Sequence, residues 1–151
     1  MRQDKTGSAR LSRELEHQIV FFARGGDPNT ESNCPGREAL NSWPISVRLK
    51  AKAVLAAVAE SPPHRFAGGG YWEAMKGEMS GWFEVRLDGP GRHHYRLFCV
   101  LDYEAKNSNF PLLVIIAGLD KKFRTTFAEA DYAEVRILGQ EYFSDNPRSI
   151  N

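Results

Sequence analysis

Apolar positions along this chain follow two rhythms, one alternating and one helical, and the switches between them mark out the elements. Ile19 to Ala23 (IVFFA) is a β-branched and aromatic run stopped by Gly25, Gly26, Asp27 and Pro28, which predicts a strand closed by a turn. Val47, Ala51, Val54, Leu55 and Val58 recur at helical spacing between Pro44 and the Ser61-Pro62-Pro63 stop. They predict an amphipathic helix ending near Glu60, with Arg48, Lys50 and Lys52 largely on its wet side. Trp82 to Leu87 (WFEVRL) and Tyr95 to Leu101 (YRLFCVL) alternate on either side of Asp88-Gly89-Pro90-Gly91, the pattern of an antiparallel hairpin. Leu112 to Ala117 (LLVIIA) is almost wholly apolar and of strand length, which predicts a strand inside the sheet. Ala130, Ala133, Val135, Ile137 and Leu138 place a last amphipathic helix at Ala128 to Tyr142, with Pro147 beyond it.

The order strand, helix, three-stranded meander, helix predicts a small α+β domain with one sheet and its helices packed to one side. Residues 17–143 carry this domain, residues 1–16 read as a flexible or partly helical N-terminal arm, and residues 144–151 read as a C-terminal tail. Asp27 to Gly36 reads as a loop, and Gly68 to Gly70 as a flexible connector. A phosphate-cradling loop needs Lys and a hydroxyl directly after its glycines, whereas Tyr71, Trp72 and Glu73 follow here.

A length of 151 residues suits one domain, and 42% hydrophobic with 26% charged residues is the balance of a folded protein. Twenty Lys and Arg against nineteen Asp and Glu leave a formal net charge of +1, so any nucleic-acid surface must be a local patch. Cys34 and Cys99 lie far apart, without metal-ligand spacing, and read as free thiols in a reducing cytosol. Met1 to Arg13 has no apolar signal region, and no run approaches the ~20 apolar residues of a bilayer span. The expectation is a cytoplasmic protein, neither exported nor inserted in a membrane. His17 and His64 have no companions at ligand spacing and read as surface residues, so no metal is expected.

Tyr71 to Met79 (YWEAMKGEM), Gly81 to Leu87 (GWFEVRL), Tyr95 to Cys99 (YRLFC) and Leu113 to Phe127 (LVIIAGLDKKFRTTF) precede a helix at Glu129 to Phe143. This succession resembles the RelE/ParE toxin superfamily, and within it the phage-derived, HigB-like branch. Ile19 to Ala67 fits that pattern only by its order of elements. The resemblance implies the toxin of a toxin-antitoxin module, a ribosome-dependent endoribonuclease that cuts mRNA and blocks translation. It further implies no metal and no small-molecule cofactor, with a cognate antitoxin as the silencing partner. One branch of the family poisons DNA gyrase, so the alternative is a non-nuclease protein of the same fold that acts by protein binding, as a gyrase inhibitor or an inactive phage-derived relative. The modest net charge favours that alternative, as does Phe127, which stands near where the RNA-cutting toxins often carry Tyr. The loop Asp27 to Glu38 is also longer than the family pattern.

Metal-free RNA cleavage needs a base for the 2′-hydroxyl proton, an acid for the leaving 5′-oxygen, and cations on the phosphate. Arg86 and Arg96, on adjacent strands of the hairpin, are candidates for the last task, and the resemblance aligns them with the family's basic strand residues. The competing reading of Arg86 is an ion pair with Glu84 or Asp88 on a solvated face. His93 or His94 is the candidate proton-transfer group, with Tyr95 behind them. Adjacent histidines point to opposite faces, so one of the two can serve. Lys121, Lys122 and Arg124 form a basic loop suited to an RNA backbone. Trp82, with Trp72 and Phe83, is a candidate for stacking on bases or, in the competing reading, for the core. Exposed apolar positions on Arg48 to Ala59, or on the last helix, are where an antitoxin would dock.

Overall fold

The computed structural model describes residues 10–25, 33–66, 69–123 and 125–151. Five strands form one mixed sheet: β1 (Gln18–Phe21), β2 (Trp72–Ala74), β3 (Trp82–Asp88), β4 (His94–Asp102) and β5 (Leu112–Lys121), in the order β1-β5-β4-β3-β2. Strand β1 runs parallel to β5, and every other pairing is antiparallel. Among the described residues three α-helices accompany the sheet: α1 (Pro35–Ser42), α2 (Ile45–Glu60) and α3 (Glu129–Phe143). The fold is α+β, with the meander β3-β4-β5 at its centre.

The helices do not lie on one side of the sheet. Leu40 of α1 and Val47, Ala51, Val54, Leu55 and Val58 of α2 share a core with Val85, Leu97, Leu113 and Ile115 on one face. Val135 and Tyr142 of α3 pack with Trp82, Phe98, Val114 and Ile116 on the other. The reason is in β5: its residues from Leu112 to Ile116 are all fully buried, and a strand apolar on both faces needs cover on both. Each such side chain contributes about 1.5–3 kcal/mol of burial, so uncovering either face would be prohibitive.

Between Phe98 and Cys99 of β4 the register on β5 jumps from Ala117 to Ile115. The extra residue puts Ile116 and Ala117 together in the α3-side core, as a bulge does. Two elements escaped the sequence reading. Helix α1 replaces the end of the expected loop; it has a single fully apolar core contact, Leu40, and so little helical periodicity to detect. It lies close on β5 because position 36 is glycine, where a Cβ would stand 2.6 Å from Ile115 Cγ2. Strand β2 spans three residues, too few to show alternation.

The C-terminal segment is not a loose tail. Asn151 and Phe21 exchange backbone hydrogen bonds of 2.8 and 2.9 Å, and Ala23 N–H donates to Ser149 O, so the chain end covers the open edge beyond β1. Residues 10–16 run as turns rather than as a helix and are tied back by Leu11 N–H to Tyr103 O. His17 is buried rather than on the surface, bonded through Nδ1 to Leu15 O and through Nε2 to the Tyr103 hydroxyl, each at 2.9 Å. Both cysteines are buried. No helix of the described residues is long and apolar enough to cross a membrane.

Candidate functional site

The α3-side face of the sheet changes character along its length. Successive residues of a strand alternate faces, so Trp82, Glu84, Arg86 and Asp88 of β3 share a face, and so do Phe98, Arg96 and His94 of β4. Helix α3 seals the apolar half, over Trp82 and Phe98. Beyond its first turn the floor becomes charged, forming a pocket of about 250 Å³ between Glu84, Arg86, His94, Arg96, Phe127 and Tyr132.

Arg86 and Arg96 are direct register partners across β3 and β4, an arrangement that like charges disfavour. Glu84 offsets part of that repulsion. Its Oε2 accepts from Arg86 Nη1 at 3.2 Å, and its Oε1 lies 3.9 Å from Arg96 Nε. Arg86 also reaches Glu73 at 3.7 Å, while Arg96 Nη1 donates to the backbone oxygens of Tyr95 and Leu87. Only 8% of Glu84 is exposed. Burial pushes its carboxyl up from the usual value, against the pull of Arg86 and Arg96, and Glu73 adds to the rise. Burial, and after it the Arg86 charge, pull Arg96 down, with Glu84 opposing. A guanidinium stays charged under such a shift, so two cations and a reluctant carboxylate share the floor.

The remaining candidates divide between the two faces. His94 lies in this pocket, its Nδ1 2.7 Å from Asp88 Oδ1 and its ring beside Phe123. His93 points elsewhere: its Nε2 is 2.6 Å from Asp120 Oδ2 and its ring lies against Tyr95, which is buried with Trp43 in the α1/α2-side core. Lys121 belongs to β5, not to a loop; it pairs in register with His94 and its Nζ stands 3.8 Å from Asp131 at the start of α3. Lys122 is exposed just past the strand, and Arg124 lies outside the described residues. Trp82 is removed from the nucleic-acid candidates, because α3 lies directly on it at Gly139 and no face is left for a base. Trp72 is likewise buried, stacked on Phe83.

Two site residues were missed in the sequence. Glu84 was read only as a partner for Arg86; its alternation with Trp82 and Arg86 was the available signal for a carboxylate under the guanidinium pair. Tyr132 comes from the first turn of α3, its ring packed edge-on against Phe98 and next to Phe127, and no local pattern ties it to the strands. Phe127 itself lies 5.9 Å from the Arg96 guanidinium carbon, close enough for a weak cation–π contact. Among the described residues no cluster of three or more His, Cys, Asp or Glu is arranged to hold a metal ion. The exposed apolar side chains include Ile45 and Leu49 on α2 and Ile137 on α3.

No family model, curated protein or solved structure matches the chain. What the molecule does must therefore be argued from the pocket itself.

Proposed function

We propose that this chain is a metal-independent endoribonuclease toxin of the RelE/HigB-like kind, cutting mRNA on the ribosome in the cytoplasm and held silent by a cognate antitoxin. The observation that carries the reading is the register pair Arg86 and Arg96 on an open pocket floor, with one buried carboxylate between them and His94 alongside. Directly opposed arginines gain from a bound phosphodiester, whose oxygens relieve their repulsion and accept bidentate hydrogen bonds.

In this reading Glu84 takes the proton of the 2′-hydroxyl, and the 2′-oxygen forms a bond to phosphorus. The bond from phosphorus to the 5′-oxygen breaks, and protonated His94 gives its Nε2 proton to that oxygen. The products are a 2′,3′-cyclic phosphate and a 5′-hydroxyl. Arg86 and Arg96 neutralise the charge that builds on the phosphorane, and exposed Lys122 adds salt-dependent attraction for the backbone. Ile45, Leu49 and Ile137 supply apolar positions for an antitoxin helix or arm.

A second reading keeps the fold and drops the chemistry, leaving a protein that acts by binding a protein partner such as gyrase. The contacts of Arg86 with Glu84 and Glu73 favour it, since they satisfy one arginine without substrate. Expression with and without the neighbouring reading frame, followed by mapping of mRNA ends, separates the two. The nuclease reading expects growth arrest with new 5′-hydroxyl ends inside reading frames, and a loss of at least about 100-fold in Arg96→Ala. Arrest without new RNA ends, or undiminished cutting by that variant, overturns it.

A further inference from the structure

A groove of about 630 Å³, roomier than the α3-side pocket, lies beyond the start of β2, between the start of α2 and the last residues of β3. Arg86 and Arg96 are among the residues that line both spaces. The groove adds Ser46 and Lys50 from α2 and Tyr71 from the segment before β2. Its charged lining is Lys50, Arg86 and Arg96 against one carboxylate, Asp88, which His94 already engages at 2.7 Å.

Lys50 has a partner at the rim of this groove. Its Nζ donates to the Tyr71 hydroxyl at 3.2 Å and sits 4.3 Å from the centre of the same ring. An ammonium has three donors, and Tyr71 uses one, so a cation with donors to spare lines the same groove as Arg86 and Arg96. Such a cation in a polar groove suits an anionic group better than an apolar one, and the anion must be continuous with whatever occupies the arginines.

We propose that this groove is a second nucleotide subsite, in which Lys50 binds the phosphodiester flanking the one held by Arg86 and Arg96 in a single-stranded RNA. The inference rests on the RNA-binding reading of that pair and extends it: the enzyme prefers substrates with a phosphate on the α2 side of the cut. Tyr71 is a positioning residue, acting through Lys50.

The experiment measures binding of fluorescent oligoribonucleotides of two and six nucleotides, and separately cleavage of ribosome-bound mRNA, in the full chain and in Lys50→Ala and Tyr71→Phe. Inorganic phosphate as competitor distinguishes a general anion site from one that needs the polynucleotide. The hexanucleotide should bind the wild type about tenfold more tightly than the dinucleotide, the order expected of one charge-assisted contact. Lys50→Ala should compress that ratio and lower the slope of log K against log salt by about 0.7, the value for one phosphate contact on a single strand. Tyr71→Phe should move both in the same direction by less. An unaltered ratio and salt slope in Lys50→Ala overturns the subsite, as does a ratio that phosphate alone abolishes. A wild type that shows the length effect but leaves ribosome-bound mRNA uncut supports the subsite and sinks the nuclease; failure to bind either oligonucleotide overturns the subsite.

Discussion

Glu84 and Arg96 meet on a diagonal of β3 and β4, Oε1 to Nε 3.9 Å, with 11% and 13% of their side chains exposed. A carboxylate so placed has two uses, neutralising the arginines and accepting a proton, and substitution separates them. Glu84→Gln keeps the shape and removes the charge, so RNA binding should be retained while cleavage falls by about 100-fold or more. The base acts when ionised, and its pKa is raised, so the acid limb of kcat/KM should lie above the ordinary carboxylate value of 4.5. Cleavage rates of ribosome-bound mRNA at successive pH values check both; full activity in the variant removes Glu84 from the chemistry.

The same alternation that exposes Glu84 also shows how far the sequence could be read. Strands β3 and β4 and helices α2 and α3 were legible because each repeats a period long enough to see, and β5 because it is an unbroken apolar run of strand length. The side of the sheet taken by α3 was not, since Val135 and Tyr142 fit either face locally and only the two-sided apolar character of β5 decides. Arg86 and Arg96 were readable as neighbours from the hairpin. The contributions of Tyr132 and Lys50 depend on how helices cross strands, which no spacing along the chain encodes.

The chain end is held by a buried ion pair. Arg148 Nε donates to Asp102 Oδ2 at 2.8 Å, the Tyr142 hydroxyl donates to the same oxygen at 2.7 Å, and Arg148 Nη1 donates to Phe143 O and Asp145 O. Removing one partner of such a pair strands the other in the core. Arg148→Met should destabilise by roughly 3–5 kcal/mol, and Tyr142→Phe by about 1 kcal/mol, measured by urea unfolding. Equal stability of Arg148→Met and wild type would mean that the carboxylate finds another donor.

His17 gives the fold a pH dependence of definite sign. Burial lowers its pKa from 6.5, opposed by the Leu15 carbonyl and assisted by His64 and Arg13. The unfolded chain therefore binds a proton at a pH where the folded chain does not, so stability is full above the unfolded value and falls as pH drops below about 6.5. Urea midpoints at successive pH values should show this decline, and His17→Gln should flatten it. A midpoint in wild type that rises on acidification through this range contradicts the buried neutral imidazole.

Gly139 sets local helix propensity against packing. Within a helix glycine is about 1 kcal/mol less favourable than alanine, so on propensity alone Gly139→Ala should stabilise. A Cβ there would stand 2.7 Å from Trp82 Cη2, and the indole is buried between α3 and the sheet. Overpacking of a rigid core costs about 1–3 kcal/mol, which exceeds the propensity gain. Gly139→Ala should thus lower stability and alter the near-ultraviolet signal of the tryptophans, whereas Gln140→Ala, on the exposed side of the same helix, should do neither. Combining Gly139→Ala with Trp82→Phe should recover part of the loss as a coupling between the two sites. If Gly139→Ala alone is the more stable protein, α3 can lift from the sheet, and its seal over Trp82, beside the Arg86 and Arg96 pocket, is not rigid.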